Sequence, residues 1–113
     1  MHELSIMESA LNIAFDQARL AQAKRICAIH LRIGALSGVV PDALEFAFET
    51  LVPGTPAEGA RLVVDHVPAR FFCHNCQAEF ESEAMLAECP GCSRPSRDLR
   101  AGREMELASL EIE

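Results

Sequence analysis

Residues 26–51 read "ICAIHLRIGALSGVVPDALEFAFETL", and this stretch decides the fold. Its first eight residues alternate. Cys27, Ile29, Leu31 and Ile33 face one way and Ile26, Ala28, His30 and Arg32 the other, which predicts a strand with its first face toward a helix. "GALSGVV" follows as a loop, and Pro41 stands at the first helical position, which proline favours. In the helix it opens, Leu44, Phe48 and Leu51, flanked by Ala47, form the buried stripe, and "VPGTPAEG" (52–59) ends it. "ARLVVDHV" (60–67) is a second strand, so the whole is a β-α-β unit with two parallel, neighbouring strands.

On the N-terminal side, Leu4, Met7, Leu11, Ala14, Phe15, Ala18 and Ala21 recur at three- and four-residue steps, with Glu8, Asn12, Asp16, Gln17 and Arg19 between them. That period predicts an amphipathic helix over about residues 4–23; Ser5 with Glu8 fits a capping box, and a start one turn earlier stays open. On the C-terminal side, "REMELASLEIE" (103–113) predicts a closing strand. Its apolar phase shifts between Leu107 and Leu110, which suggests a bulge near Ala108–Ser109. The expected fold is therefore α+β: two helices packed on a small mixed three-stranded sheet, with an inserted four-cysteine, zinc-ribbon-like lobe. Residues 1–69 form the first part of the α/β domain, 70–99 the lobe, and 100–113 the strand that returns to the domain.

The chain has 113 residues, enough for one domain or a small domain with an appendage. It has neither Trp nor Tyr, so its core is aliphatic with a few Phe, and at this length a covalent or metal staple adds useful stability. A formal net charge of −7 argues against phosphate-backbone binding, which needs clustered Lys and Arg. No apolar run approaches the ~20 residues that span a bilayer, so no membrane insertion is expected. The N-terminus carries Glu3 and Glu8 and lacks a basic leader, so it does not read as a signal peptide. The expected compartment is the cytoplasm, where thiols stay reduced and cysteines serve as metal ligands more readily than as disulfides.

"CHNC" (73–76) and "CPGC" (89–92) set Cys73, Cys76, Cys89 and Cys92 in the arrangement C-x2-C-x12-C-x2-C. Each C-x2-C turn aims two sulfurs and several backbone N–H groups at one point, and two turns complete a tetrahedral thiolate cage suited to Zn²⁺. Iron in an all-thiolate site stays open on ligand type. Two disulfides fit the spacing poorly. A redox C-x-x-C needs a helix starting at the motif, whereas "CPGCSRPS" runs into proline and loop residues. From Cys73 to Cys92 the lobe carries Glu79, Glu81, Glu83 and Glu88 and no Lys or Arg. Arg94, Arg97, Arg100 and Arg103 follow, interrupted by Asp98 and Glu104. That balance opposes nucleic-acid binding and leaves a structural or protein-docking lobe.

The chain opens "MHELSI" (1–6). His2 is too large for methionine removal, so Met1 is expected to keep a free α-amine. That amine, the backbone nitrogen of His2 and its imidazole form fused chelate rings that suit Ni²⁺ or Cu²⁺, with Glu3 as a further donor. A solvated terminal histidine is the plain alternative. Other residues read more simply: His30 as exposed or interfacial, His66 as a half-buried imidazole, Cys27 as a small buried hydrophobe, and the Phe46–Phe48 pair as core and interface material.

"MHELSI", "RIGALSGVVPDALEFAFET" (32–50), the two C-x2-C pairs and the closing "GREMELASLEIE" (102–113) together resemble the HypA/HybF family of hydrogenase nickel-incorporation proteins, in order and over essentially the whole chain. The resemblance implies a nickel metallochaperone that binds Ni(II) as transient cargo at Met1, His2 and Glu3. It also implies Zn(II) held structurally on Cys73, Cys76, Cys89 and Cys92. It implies a maturation GTPase as partner, the [NiFe]-hydrogenase large subunit as recipient and, in some organisms, urease maturation proteins; a homodimer is compatible with it. Where some relatives have an acidic residue before the second helix, Val39 and Val40 stand here, which leaves Asp42 as a weak substitute for a nickel contact. His74 is the one histidine beside the cysteine pairs. The sequence has no nucleophile–base constellation and no phosphate-binding glycine loop, so the expected role is delivery and not catalysis. The competing class is a zinc-ribbon adaptor or regulator that binds protein and has no nickel function.

Overall fold

Helix α1 (Glu3–Leu20) begins with His2 as its N-cap, and the His2 carbonyl accepts the Ile6 N–H at 2.9 Å. The computed structural model describes residues 2–84 and 86–113; Met1 and Met85 lie outside the described residues. Ser5 and Glu8 lie inside the first turns, both exposed, so the expected capping box does not start the helix. The buried stripe is Glu3, Met7, Ala10, Leu11, Ala14 and Ala18, one position out of phase with Leu4, which is 52% exposed. A carboxylate occupies the slot expected for a leucine. The helix ends at Leu20, three residues before the expected stop. Gln22 adopts a left-handed backbone (φ 57°), and the N–H groups of Gln22 and Ala23 bond back to the carbonyls of Arg19 and Ala18. This is a Schellman cap built without the glycine that usually signals it.

Strand β1 (Ile26–Gly34) is central in a sheet of order β2-β1-β8, where β2 is Arg61–Val67 and β8 is Met105–Ile112. Ile26 donates to the Pro56 carbonyl at one end and Ala35 to Val67 at the other, so β1 and β2 run parallel. Gly34 donates to Glu104 and Glu113 to Arg25, so β8 is antiparallel and the sheet is mixed. Ile29, Leu31 and Ile33 are buried as the alternation requires. Cys27 is only half-buried, with its thiol 3.5 Å from a Glu113 carboxylate oxygen, so it is not the core hydrophobe expected. On the other face His30 meets Glu111 at 2.9 Å and Arg32 meets Glu106 at 2.8 Å. Helix α2 (Pro41–Leu51) has Pro41 at its start and buries Leu44, Ala47 and Phe48, while Phe46 stays 71% exposed. His66 is exposed and not half-buried, because it lies on an edge strand.

The chain divides into two compact units. The first holds both helices, in Met1–Arg32, Val39–Asp65 and Glu106–Glu113; the second is Ile33–Gly38 with His66–Met105, a wider span than residues 70–99. The second unit contains strands that the sequence hid. β3 (Arg70–Cys73), β4 (Ala78–Glu81) and β7 (Leu99–Ala101) form one sheet, and β5 (Ala87–Glu88) with β6 (Pro95–Ser96) another. At two to four residues each, they are too short to display an alternation. β3 pairs antiparallel with β4, setting Phe71 opposite Phe80, and these rings join Ala69, Cys73, Ala87 and Cys89 in a small core. Arg70 ties the edge by binding Glu79 at 2.9 Å and Glu81 at 3.1 Å. Three backbones meet closely here: a Cβ on Gly34 would sit inside the Gly102 main chain, and one on Gly102 would lie 2.7 Å from the Ala69 Cα.

Candidate metal centre

The two cysteine turns are separate in sequence and meet at the second unit's core. Cys73 ends β3, Cys89 follows β5, and both are buried; Cys92 is half-buried and Cys76 exposed. All four sulfurs lie within 4.8 Å of one another. Cys73 and Cys92 Sγ are 3.6 Å apart, and Cys76 and Cys89 Sγ 3.9 Å. A disulfide needs about 2.05 Å, so the pairs are not bonded. A tetrahedron with metal–sulfur bonds of about 2.3 Å has sulfur–sulfur edges of about 3.8 Å, which these separations bracket. The Cys76 N–H points at the Cys73 sulfur and the Gly91 N–H at the Cys89 sulfur, both at 3.4 Å, as turns that support thiolates require.

The donor set calls for a cation. Hydrogen bonding with Cys92, Cys89 and Cys73, in that order, pushes the Cys76 thiol up to about 12. The Arg94 backbone N–H brings Cys92 down to about 7. Four crowded sulfurs cannot all ionise on their own; a divalent ion at their centre removes that conflict. The geometry is compatible with zinc.

Beside the cage, His74 directs Nε2 at Asp98 (2.7 Å), not at a sulfur. Arg100 holds the same carboxylate and lies over the Phe72 ring at 4.3 Å. Arg100 first, and His74 after it, hold Asp98 down to about 2. This cluster went unread in the sequence, although Asp98-x-Arg100 places opposite charges on one face of a strand end.

At the other end of the chain, Met1 lies outside the described residues. His2 is exposed and makes no side-chain capping bond to α1. Glu3 is 4% exposed and accepts the Val40 N–H at 2.9 Å. That hydrogen bond is the main reason its carboxyl is lowered to about 2. Asp42 is exposed in the first turn of α2, two residues past Val40. Among the described residues, the four cysteines are the one group of three or more metal-ligating side chains that converges; His2, Glu3 and Asp42 do not form a second.

The family model for hydrogenase/urease nickel incorporation, metallochaperone HypA, matches residues 1–112. The chain belongs to the HypA family. Hydrogenase maturation factor HypA of Chloroflexus aurantiacus is 49% identical over 112 residues, covering 98% of each chain. Those of Picosynechococcus sp. (44%, 99% of each chain) and Geobacter sulfurreducens (43%, 100% of each) are similar throughout as well. The solution structure of the Ni metallochaperone HypA from Helicobacter pylori superimposes with a TM-score of 0.66 at 26% identity, covering 99% of this chain and 97% of that one. The solution structure of another HypA protein gives 0.72 at 27% identity, covering 99% and 96%. The family is one of nickel metallochaperones of hydrogenase maturation. No helix among its described residues is long and apolar enough to cross a membrane.

Proposed function

We propose that this chain carries Ni(II) at its N-terminus and hands it over during maturation of [NiFe]-hydrogenase. The donors are the Met1 amine, the His2 backbone nitrogen and the His2 imidazole, with Glu3 beside them and Asp42, in the first turn of α2, as a further carboxylate. The observation that supports this is the pairing of an exposed His2, whose side chain makes no capping bond, with a buried Glu3 fastened to the Val40 N–H. The anchor fixes the first turn of α1 against α2's N-cap. Because the Glu3 carboxyl is held near 2, its charge persists throughout the neutral range and favours a cation at the neighbouring imidazole.

Coordination at a chain end leaves the cargo accessible, so a recipient replaces ligands one at a time. A maturation GTPase and the hydrogenase large subunit are the partners this role requires, with urease maturation proteins a further outlet. The role is delivery in the cytoplasm, without catalysis. Cys73, Cys76, Cys89 and Cys92 would hold Zn(II), which supplies a structural cross-link to the second unit.

Calorimetric nickel titration tests the terminal site, using the native chain, a Gly-Ser-extended chain and His2→Ala at pH ~7.5, just below the range of a free α-amine. The extension turns the amine into an amide and displaces His2; the substitution removes the imidazole. Both are expected to lose tight nickel binding while keeping about one zinc per chain. Equal nickel affinity in all three overturns the proposal.

A further inference from the structure

The second unit has a cavity of about 280 Å³ away from the cysteine cage, lined by Leu36, Phe71, Leu86, Arg97, Leu99 and Arg103. Its floor belongs to the core: Phe71 is fully buried, and Leu36 and Leu99 pack against the same cluster. Leu86 is 56% exposed. Arg97 and Arg103, both exposed, line the same cavity, and neither has an ion-pair partner among the described residues.

Their isolation has a local cause. Asp98, next to Arg97, is already held by Arg100 and His74. Glu104, next to Arg103, accepts the Gly102 N–H at 2.8 Å. Arg70 and Arg100 of this unit, by contrast, are each neutralised by carboxylates. In a chain of net charge −7, two unneutralised arginines over an apolar floor form a distinct surface.

We infer that this cavity receives an acidic segment of a partner protein: one aliphatic or aromatic side chain enters the slot, and flanking Asp or Glu carboxylates meet Arg97 and Arg103. The volume lies just below the range of about 300–1,000 Å³ typical of small-molecule pockets and suits a single anchoring side chain. A bare anion would satisfy the guanidinium groups but leave the apolar floor wet. A purely apolar ligand would leave both cations without a counter-charge. An acidic–apolar peptide meets both demands, and this inference stands independently of nickel binding.

The test is fluorescence anisotropy of a fluorescein-labelled peptide, Gly-Glu-Asp-Leu-Glu-Gly, titrated with the intact zinc-loaded chain at low salt. Two further peptides replace Leu by Ser, or the acids by their amides. The native chain is expected to bind the first and to bind each of the others more weakly. Arg97→Gln with Arg103→Gln should weaken binding by about tenfold, the equivalent of two modest charge pairs. Arg19→Gln, which alters an arginine of the first unit paired with Asp16, should leave it unchanged. Amide NMR shifts on binding should centre on Leu36 and Leu99. No binding by the native chain, equal binding by the double variant, or equal binding of the Ser peptide overturns the inference. Full displacement by inorganic phosphate at matched ionic strength overturns it too, by showing an anion site alone.

Discussion

The cysteine cage and the chain start are both candidate metal sites, and they are built on opposite plans. The cage draws its four sulfurs from two turns separated in sequence, converging on one point within a packed core. The chain start offers one exposed imidazole and one buried carboxylate on successive residues. A closed site of the first kind contributes directly to folding, because its ligands assemble only when the surrounding strands do. An open site of the second kind contributes little to folding, and for that reason can release what it binds. The cysteine cluster has the geometry of a site fit for holding, and the terminal site proposed above that of one fit for passing on.

The comparison breaks most readily at the cage. Cys73→Ser or Cys89→Ser should release the metal and unfold the second unit, since a structural zinc site contributes on the order of 10–16 kcal/mol of apparent binding free energy. The first unit, with its own apolar stripes on α1 and α2, should keep most of its helical circular dichroism. Elemental analysis and the far-ultraviolet signal together decide this. Retention of full metal content in both variants would show that the sulfurs are not the ligands, and iron in place of zinc would correct the metal alone.

A smaller effect separates cage from scaffold. Gly34→Ala forces a methyl group into the Gly102 backbone, which itself has a positive φ of 123° and lies against Ala69. Overpacking of this kind costs about 1–3 kcal/mol. Urea unfolding of the second unit should show the loss, with the cysteines unaltered. An unchanged midpoint would mean that the three backbones can separate without cost.

Glu3 sharpens the other side. Its folded-state carboxyl lies near 2 against an ordinary 4.5, so its contribution to stability is complete above 4.5 and disappears as pH falls through 2. Glu3→Gln should therefore destabilise α1 at neutral pH, and the gap between variant and native chain should narrow from pH 4.5 down to 2. Nickel affinity should fall as well, with metal in the cage unaffected at neutral pH. A constant gap across the acid range would remove the charge from the account of this anchor.

The sequence made some of this legible and concealed the rest for physical reasons. The β-α-β unit could be read because long strands and a proline-led helix carry their period in the residues themselves. The cage could be read because C-x2-C spacing is a local geometric instruction. The burial of Glu3 went unread: it draws on an N–H donated by Val40, 37 residues away, which no window around Glu3 contains. The short lobe strands, the glutamine-based cap at Gln22 and the Asp98–Arg100–His74 cluster were missed because each is fixed by partners and not by periodicity.

Cys27 offers the smallest effect and the finest control on the comparison. Its place in β1 gave it the alternation of a core residue, yet the neighbours it buries against include the polar end of the chain, with the thiol 3.5 Å from Glu113. Arg25 meets the same Glu113 carboxylate at 3.4 Å, so the region already satisfies charged groups at the surface. A serine hydroxyl there donates to that carboxylate at least as well as a thiol, and it remains partly hydrated. The desolvation cost that makes Cys→Ser harmful in a dry core therefore largely vanishes. Cys27→Ser should change stability by no more than about 0.5 kcal/mol, the ordinary range for surface substitutions. Zinc content and nickel affinity should both match the native chain. A drop of several kcal/mol would restore Cys27 to the core. Loss of zinc with the fold intact would mean that the cage takes a different set of four cysteines.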